Sequence, residues 1–278
     1  LPPLFVKEPR ELESKNESEQ EQSGFSLAKT VRDIKPLWGF LLYSIYASVL
    51  HLTGIKFSHY WVELIALSVS LYFVFETLFK KTSAQGSQSD HLGFQKVLAA
   101  HSFSWIGIQT MFVFTYAFLQ DKMTGLSDQA LGQTISYSFA ILNGVAALLP
   151  ALVLGPLANR YGRVRVHALS LMITAASYAL IATLVTSPSG MYLFMATAGV
   201  GWAAVVSLPF AIMSERVEQS KMGLYMGLFN LSVVLPQLVV SLGVSLFLNK
   251  VNDQSMVFWV CAGAMTISAF AWSMLQEE

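Results

Sequence analysis

The sequence predicts an all-α protein threaded through a membrane eight times. Hydrophobic residues make up 54% of the 278 and charged residues 12%, about half the roughly 25% usual in soluble domains, and mean hydropathy is +0.53. The apolar residues form continuous runs of about 20, the length of helix that crosses a bilayer, and not the alternating ten-residue strands of a barrel. Cations gather between alternate runs, which is how membrane helices are oriented. Lipid offers backbone groups no partner, so each run must be a helix.

The runs fall at 36–55, 60–79, 97–120, 131–154, 168–187, 190–213, 222–248 and 256–275. With the amino-terminal segment in the cytoplasm, the inner side carries Lys7, Arg10, Lys15, Lys29, Arg32, Lys35, Lys80, Lys81, Lys96, Arg160, Arg163, Arg165, Arg216 and Lys221. The outer side carries Lys56, Lys122 and Lys250. Merging or dropping one run would break this alternation. Both chain ends are therefore expected in the cytoplasm, in a multi-pass protein of the plasma membrane.

Before the first run, residues 7–22 mix charges with few apolar side chains and read as a disordered linker. Residues 24–35 are open to two readings. Phe25, Ala28, Val31 and Ile34 suit one face of a short helix lying in the headgroup layer, or the stretch is plain linker. The segment 1–35 is thus a cytoplasmic linker, 36–79 a two-helix hairpin, 80–96 a cytoplasmic loop and 97–278 a six-helix bundle. The Ser/Gln/Gly-rich stretch 82–90 reads as flexible. Residues 1–22 are charged, unlike a cleavable signal. The chain opens on Leu1, so it reads as the later part of a longer protein.

Zero formal net charge leaves no basic field for nucleic acid. One cysteine, Cys261, excludes an intrachain disulfide framework, and no metal cluster is visible. No phosphate-binding glycine loop, helical His/Glu metal pair or Gly-x-Ser-x-Gly elbow is present, so neither an enzyme nor a cofactor is expected. Between 97 and 275 every Asp, Glu, Lys and Arg lies near a helix end. Mid-membrane charge costs roughly 2.5–3.5 kcal/mol and usually marks function. If an ion bound at mid-membrane is part of the function, its site is expected mostly outside this chain.

The most informative segment is 155–165, Gly155-Pro-Leu-Ala-Asn159-Arg160-Tyr-Gly162-Arg163-Val-Arg165. Glycines let two helices turn sharply and pack closely. Arginines held at the interface can pair with a carboxylate or cap helix carbonyls. Glu215 is a candidate partner for Arg160 or Arg163, or else a solvated loop charge beside Arg216 and Glu218. The alternative for the whole segment is a plain positive turn.

Candidate binding residues lie on helical stripes. Trp105, Gln109, Phe112, Tyr116 and Gln120 recur at steps of four, three, four and four. Rings stack on the C–H face of a sugar and amides bond its hydroxyls; the rings also suit interfacial or packing roles. Asn230, Gln237 and Ser241 share a second face, and Asn143 is an isolated amide at depth. These are substrate contacts or interhelical glue. Trp202, in a glycine-rich stretch, fits packing better than a cavity role. His101 fits a hydrogen-bonded interfacial histidine better than a proton relay. Pro209 and Pro236 can kink their helices, and Glu76 can pair with Lys80.

These residues also carry a family resemblance. Gly155, Arg160, Gly162, Arg163 and, near the last basic place, Arg165 resemble the signature loop of the major facilitator superfamily; Asn159 replaces its usual Asp and cannot ion-pair. Gly199-Val-Gly201-Trp202, Leu208-Pro209-Phe210, Ser214-Glu215, the run from Met222 to Asn230, and Leu235-Pro236-Gln237 are similar to the tenth and eleventh helices of its sucrose/maltose-type sugar:cation symporters. His101 through Tyr116 is similar to their seventh helix, and Phe5-Val6-Lys7-Glu8-Pro9 to the segment just after their sixth. The resemblance covers about 97–275 and, loosely, the first residues.

It implies a carboxy-terminal six-helix half preceded by an inserted hairpin, with a missing amino-terminal six-helix half supplying the rest of the cavity. It further implies secondary transport of a small glycoside or disaccharide by alternating access, coupled to a cation such as a proton. Expected partners are a small solute, the coupling cation and lipid, with no nucleic acid. Expected substrate contacts are Trp105, Gln109, Tyr116, Asn143, Asn230 and Gln237. Expected gating residues are Gly155, Asn159, Arg160, Gly162, Arg163, Arg165 and Glu215. The alternatives are a superfamily transporter of a drug or organic acid, and a scaffold or sensor that moves nothing.

Overall fold

A computed structural model describes residues 27–55, 59–80, 87–244 and 251–276. The linker 7–22, the segment 5–9, Lys56, Lys81 and Lys250 lie outside these, as do residues 82–86. Helix α1, Leu27–Asp33, belongs to a unit separate from the body that begins at Ile34. It matches the helical reading of residues 24–35.

The body is all-helical among its described residues. After a 3-10 turn at Lys35–Leu37 come α2 (Trp38–Thr53) and α3 (Trp61–Phe79). Then follow α4 (Ser87–Lys122), α5 (Asp128–Leu149), α6 (Gly155–Tyr161) and α7 (Arg163–Leu184). The last are α8 (Pro188–Ser214), α9 (Met222–Val239) and α10 (Ser255–Ser273). Seven helical stretches among the described residues are long and apolar enough to cross a membrane. The eighth expected span, 36–55, is α2, whose 16 residues fall short of the roughly 20 needed and gain one turn from Lys35–Leu37.

Local chemistry sets the boundaries. Gly54 ends α2 at φ 69°, the left-handed conformation that glycine adopts at no steric cost. Ser127 and Ser187 cap α5 and α8 by accepting from the Ala130 and Gly190 amides. Helix α4 starts at Ser87 and so takes in the end of the stretch 82–90 read as flexible. Its first turns bury Leu92 and Phe94, with Phe94 edge-on to Tyr225 at 4.9 Å. That tertiary contact outweighs the polar local sequence.

The expected turn at 155–165 is mostly helix. A π-helical turn at Pro150–Leu154 joins α5 to α6, giving one rod over Asp128–Tyr161. At 1.5 Å per residue the rod is ~50 Å long, against about 30 Å of hydrocarbon, so one end stands clear of the membrane core. The chain reverses at Gly162 alone, at φ 96°, between α6 and α7.

Helix α10 packs along α7 and α4, α8 along α7 and α5, and α9 along α4. The hairpin α2–α3 lies against α4 and α9. Small residues and hydroxyls make the contacts, as is usual where lipid supplies no hydrophobic drive between helices. The Gly201 amide donates to Thr174 Oγ1 at 2.9 Å, and that hydroxyl donates to the Ala198 carbonyl. Ser104 and Ser268 hydroxyls meet at 2.6 Å, and Ser268 donates to the Ala100 carbonyl. In the hairpin, Glu76 pairs with Lys35 at 2.6 Å, across the two helices, and not with Lys80 one turn away. The Lys35 ammonium also sits 4.9 Å from the Phe73 ring. Exposed Leu52, Trp61, Tyr72, Leu148, Leu152 and Phe270 form the apolar exterior of an integral multi-pass membrane protein.

A Cβ at Gly201 would overlap Thr174 and reach within 3.0 Å of the Ser170 carbonyl. Gly201→Ala should therefore push α7 and α8 apart and destabilise by about 1–3 kcal/mol. A fall in the detergent-solubilised unfolding temperature is expected, and an unchanged temperature would contradict this packing.

Candidate functional site

The α4 stripe is the less buried face of its helix. Trp105, Gln109 and Phe112 are half-buried, and Tyr116 and Gln120 exposed, while Ser104, Ile108, Met111, Thr115 and Phe118 are buried. The sequence folds this way because small and aliphatic residues alternate with rings and amides at helical spacing.

Trp202 of α8 organises the stripe. Its ring stands edge-on to Trp105 at 5.9 Å and to Phe112 at 5.6 Å, the arrangement that ring quadrupoles favour. Its Nε1–H donates to Asn143 Oδ1 at 2.9 Å. The Asn143 amide donates in turn to the Phe139 carbonyl at 2.8 Å, and Phe139 meets Phe112 at 5.0 Å. Rings and amide from α4, α5 and α8 thus form one uncharged surface. Sequence alone favours packing for Trp202; here it packs and also joins the α4 stripe to Asn143 of α5.

The other candidates lie apart. Tyr116 donates to Asp128 Oδ1 at 3.1 Å, at the far end of the rod. Asn230 is exposed and Gln237 half-buried on α9. No hydrogen bond or ring contact among the described residues joins them to the Trp202 cluster.

Behind Trp105 lies a second layer that has no signature in the sequence. The Trp105 Nε1–H donates to His101 Nε2 at 2.9 Å. His101 stacks on Phe229 at 4.7 Å, and Trp272 stands edge-on to both His101 and His167. His101, Phe229, Trp272 and His167 are all buried. They come from α4, α9, α10 and α7, so no sequence spacing could have linked them.

At the arginine end, Arg163 pairs with Glu215, choosing between the two expected arginines. Both side chains are about 40% exposed (40% and 39%), so the pair is worth only ~0–1 kcal/mol. Arg160 lies 5.1 Å from the Tyr161 ring, and Asn159 and Arg165 are exposed. Gly155 is helical, not a turn; a side chain there would crowd the Pro150 carbonyl, 3.1 Å from its Cβ position. Only Gly162 turns the chain.

Arg216, read from sequence as a neighbouring loop charge, is a buried cation, 4% exposed. It donates to the carbonyls of Ile212 and Gln276, which satisfies the carboxyl end of α8 and the chain just beyond α10. Its stem passes Gly93 of α4, where a side chain would crowd it. The detectable signal was a cation just past a helix end, where the dipole favours it.

The opposite end is held by Lys122, which bridges Asp121 and Asp253 at 3.3 and 2.7 Å. The Lys122 hydrogen bond, and after it the Ser255 backbone amide, lower the Asp253 carboxyl to about 2.

The Major Facilitator Superfamily profile matches residues 50–241 and 97–278 of the chain. No curated protein matches it significantly.

Arg216→Ala should cost more stability than Glu215→Gln, because charged hydrogen bonds are worth about 1.5–3 kcal/mol each and an exposed pair about 0–1; equal losses in unfolding temperature would refute the ranking. The Lys122–Asp253 contact stabilises fully above the ordinary carboxylate range near about 4 and is lost as pH falls through about 2. Stability should thus be insensitive to this contact from pH 7 to 5, and Asp253→Asn should remove part of the acid-induced loss below that.

Proposed function

The chain belongs to the Major Facilitator Superfamily of secondary transporters, and from that premise we propose that its cargo is a small sugar, a glycoside or disaccharide, moved by alternating access. The carrying observation is the uncharged surface of Trp105, Phe112, Trp202 and Asn143. Aromatic rings offer flat apolar faces to sugar C–H groups, and an amide can exchange its protein hydrogen bond for a hydroxyl. A charged cargo would need an opposite charge within the membrane, and this surface presents none.

Gln109 extends the surface along α4. Asn230 and Gln237 on α9, with Tyr116 towards the far end, would meet the solute as it moves. This chain supplies about half the cavity, and an amino-terminal six-helix half supplies the rest. The resemblance to sugar:cation symporters adds a coupling cation.

The arginine end faces the cytoplasm of the plasma membrane, in keeping with the strong bias of cations to one side. There Arg163–Glu215 acts as the gate pair. Its small energy suits a contact that breaks and re-forms in every cycle, while the Gly162 reversal keeps α6 and α7 in register. Arg160, Arg165 and Asn159 flank that gate.

Uptake of a radiolabelled disaccharide by cells expressing the full-length protein tests this. Competition by other glycosides is expected, and competition only by organic acids or drugs would overturn the sugar assignment. Trp202→Phe keeps an aromatic ring but removes the donor to Asn143 Oδ1 and should weaken apparent affinity several-fold. Trp202→Ala should remove most uptake with expression intact. No flux for any solute would instead favour a scaffold or sensor.

A further inference from the structure

We propose that His101 binds the coupling proton, and that its protonation frees the Trp105 indole N–H for the solute. This inference rests on the sugar-transport reading above. His101 is 2% exposed. Its Nε2 accepts from Trp105 at 2.9 Å, so Nε2 carries the lone pair and Nδ1 the proton of the neutral ring. Nδ1 is buried with no hydrogen-bond partner among the described residues. Trp105 shares its ring contacts with Trp202, which holds Asn143. One unbroken path of contacts therefore runs from a buried imidazole to the solute surface.

The groups facing the imidazole are few. Phe229 from α9 lies parallel to it at 4.7 Å and 18°. Trp272 from α10 stands edge-on at 6.3 Å. His167 from α7, across Trp272, is the other titratable side chain of this cluster, and a positive charge on it would oppose one on His101. On α4 itself the neighbour is Trp105, which does not titrate.

The step balances as a single protonation. A proton adds to the Nε2 lone pair and a new N–H bond forms. The Trp105 N–H···Nε2 hydrogen bond breaks, and the indole keeps its own proton. Both ring nitrogens of the cation are then donors, so Trp105 has lost its acceptor and must find another. In this proposal a solute hydroxyl at the Trp105–Trp202 surface takes over as acceptor. The cation itself lies over the face of Phe229, which a ring quadrupole stabilises.

Deprotonation reverses both changes. The neutral imidazole takes the indole N–H back and withdraws a donor from the solute. Proton and solute therefore raise each other's affinity by the same factor, on the order of tenfold for one hydrogen bond between neutral groups. That reciprocity is what symport requires. It also places an ion site in a half whose mid-membrane sequence carries no carboxylate, where sequence alone points to an ion site elsewhere.

The test uses the full-length protein in proteoliposomes with two variants. His101→Gln keeps an acceptor for Trp105 but cannot be protonated, and Trp105→Phe removes the donor and keeps the imidazole. Tryptophan emission is first titrated from pH 8 to 4 without solute. A step present in the unaltered protein and absent in both variants is expected; a step that survives His101→Gln overturns the proposal. A labelled disaccharide is then driven by an inward proton gradient. The unaltered protein should accumulate it, whereas His101→Gln should exchange it across equal concentrations yet lose about tenfold in accumulation. Accumulation by His101→Gln equal to the unaltered protein would also overturn it. If no sugar moves but the His101-dependent emission step is present, the sugar reading falls and the proton site stands.

Discussion

Lipid offers a polar atom nothing to bond, so the hydroxyls and amides on these helices take partners within the protein wherever packing allows. Much of the architecture follows. Hydroxyls of Thr174, Ser104 and Ser268 bridge helices where glycine and alanine let them approach. The same rule makes an amide such as Asn143 informative. It is held by Trp202 on one side and a backbone carbonyl on the other, so its orientation is fixed without burying it.

Two neighbouring cations at one end of the bundle obey different energetics. Arg216 is buried and held by the carbonyls of Ile212 and Gln276, which favours permanence. Arg163 and Glu215 are half in solvent, which favours exchange. A carrier that opens and closes one end needs both kinds of contact close together: a fixed hinge and a weak latch. In the gating we propose, the adjacent residues Glu215 and Arg216 take part in one contact of each kind.

Much was legible from sequence because membrane insertion is decided by local properties. Run length, hydropathy and the placement of cations act within about twenty residues, and they put helices where α3 to α5 and α7 to α10 lie. The α4 stripe was legible for the same reason, since helical spacing alone decides that Trp105, Gln109 and Phe112 share a face. Where the reading fell short, a distant contact had won. Glu76 chose Lys35 over the nearer Lys80. Ser87 to Lys96 became helix because Leu92 and Phe94 found a core to enter. The segment at 155–165 looked like an open turn because its residues favour turns, yet the rod from α5 takes in residues 155–161 and α7 takes in 163–165, leaving Gly162 alone between them.

Residue order alone was enough for an all-helical membrane protein, its helical stripes and its family signature, because period, length and charge need no partner to act. Which side chains meet was left to the packing of the helices. Packing placed Trp202 between Trp105 and Asn143, gave Glu215 to Arg163, and gathered His101, Phe229, Trp272 and His167 from four helices. Those choices depend on small differences in interhelical distance, and residues on separate helices carry no local signal of their approach.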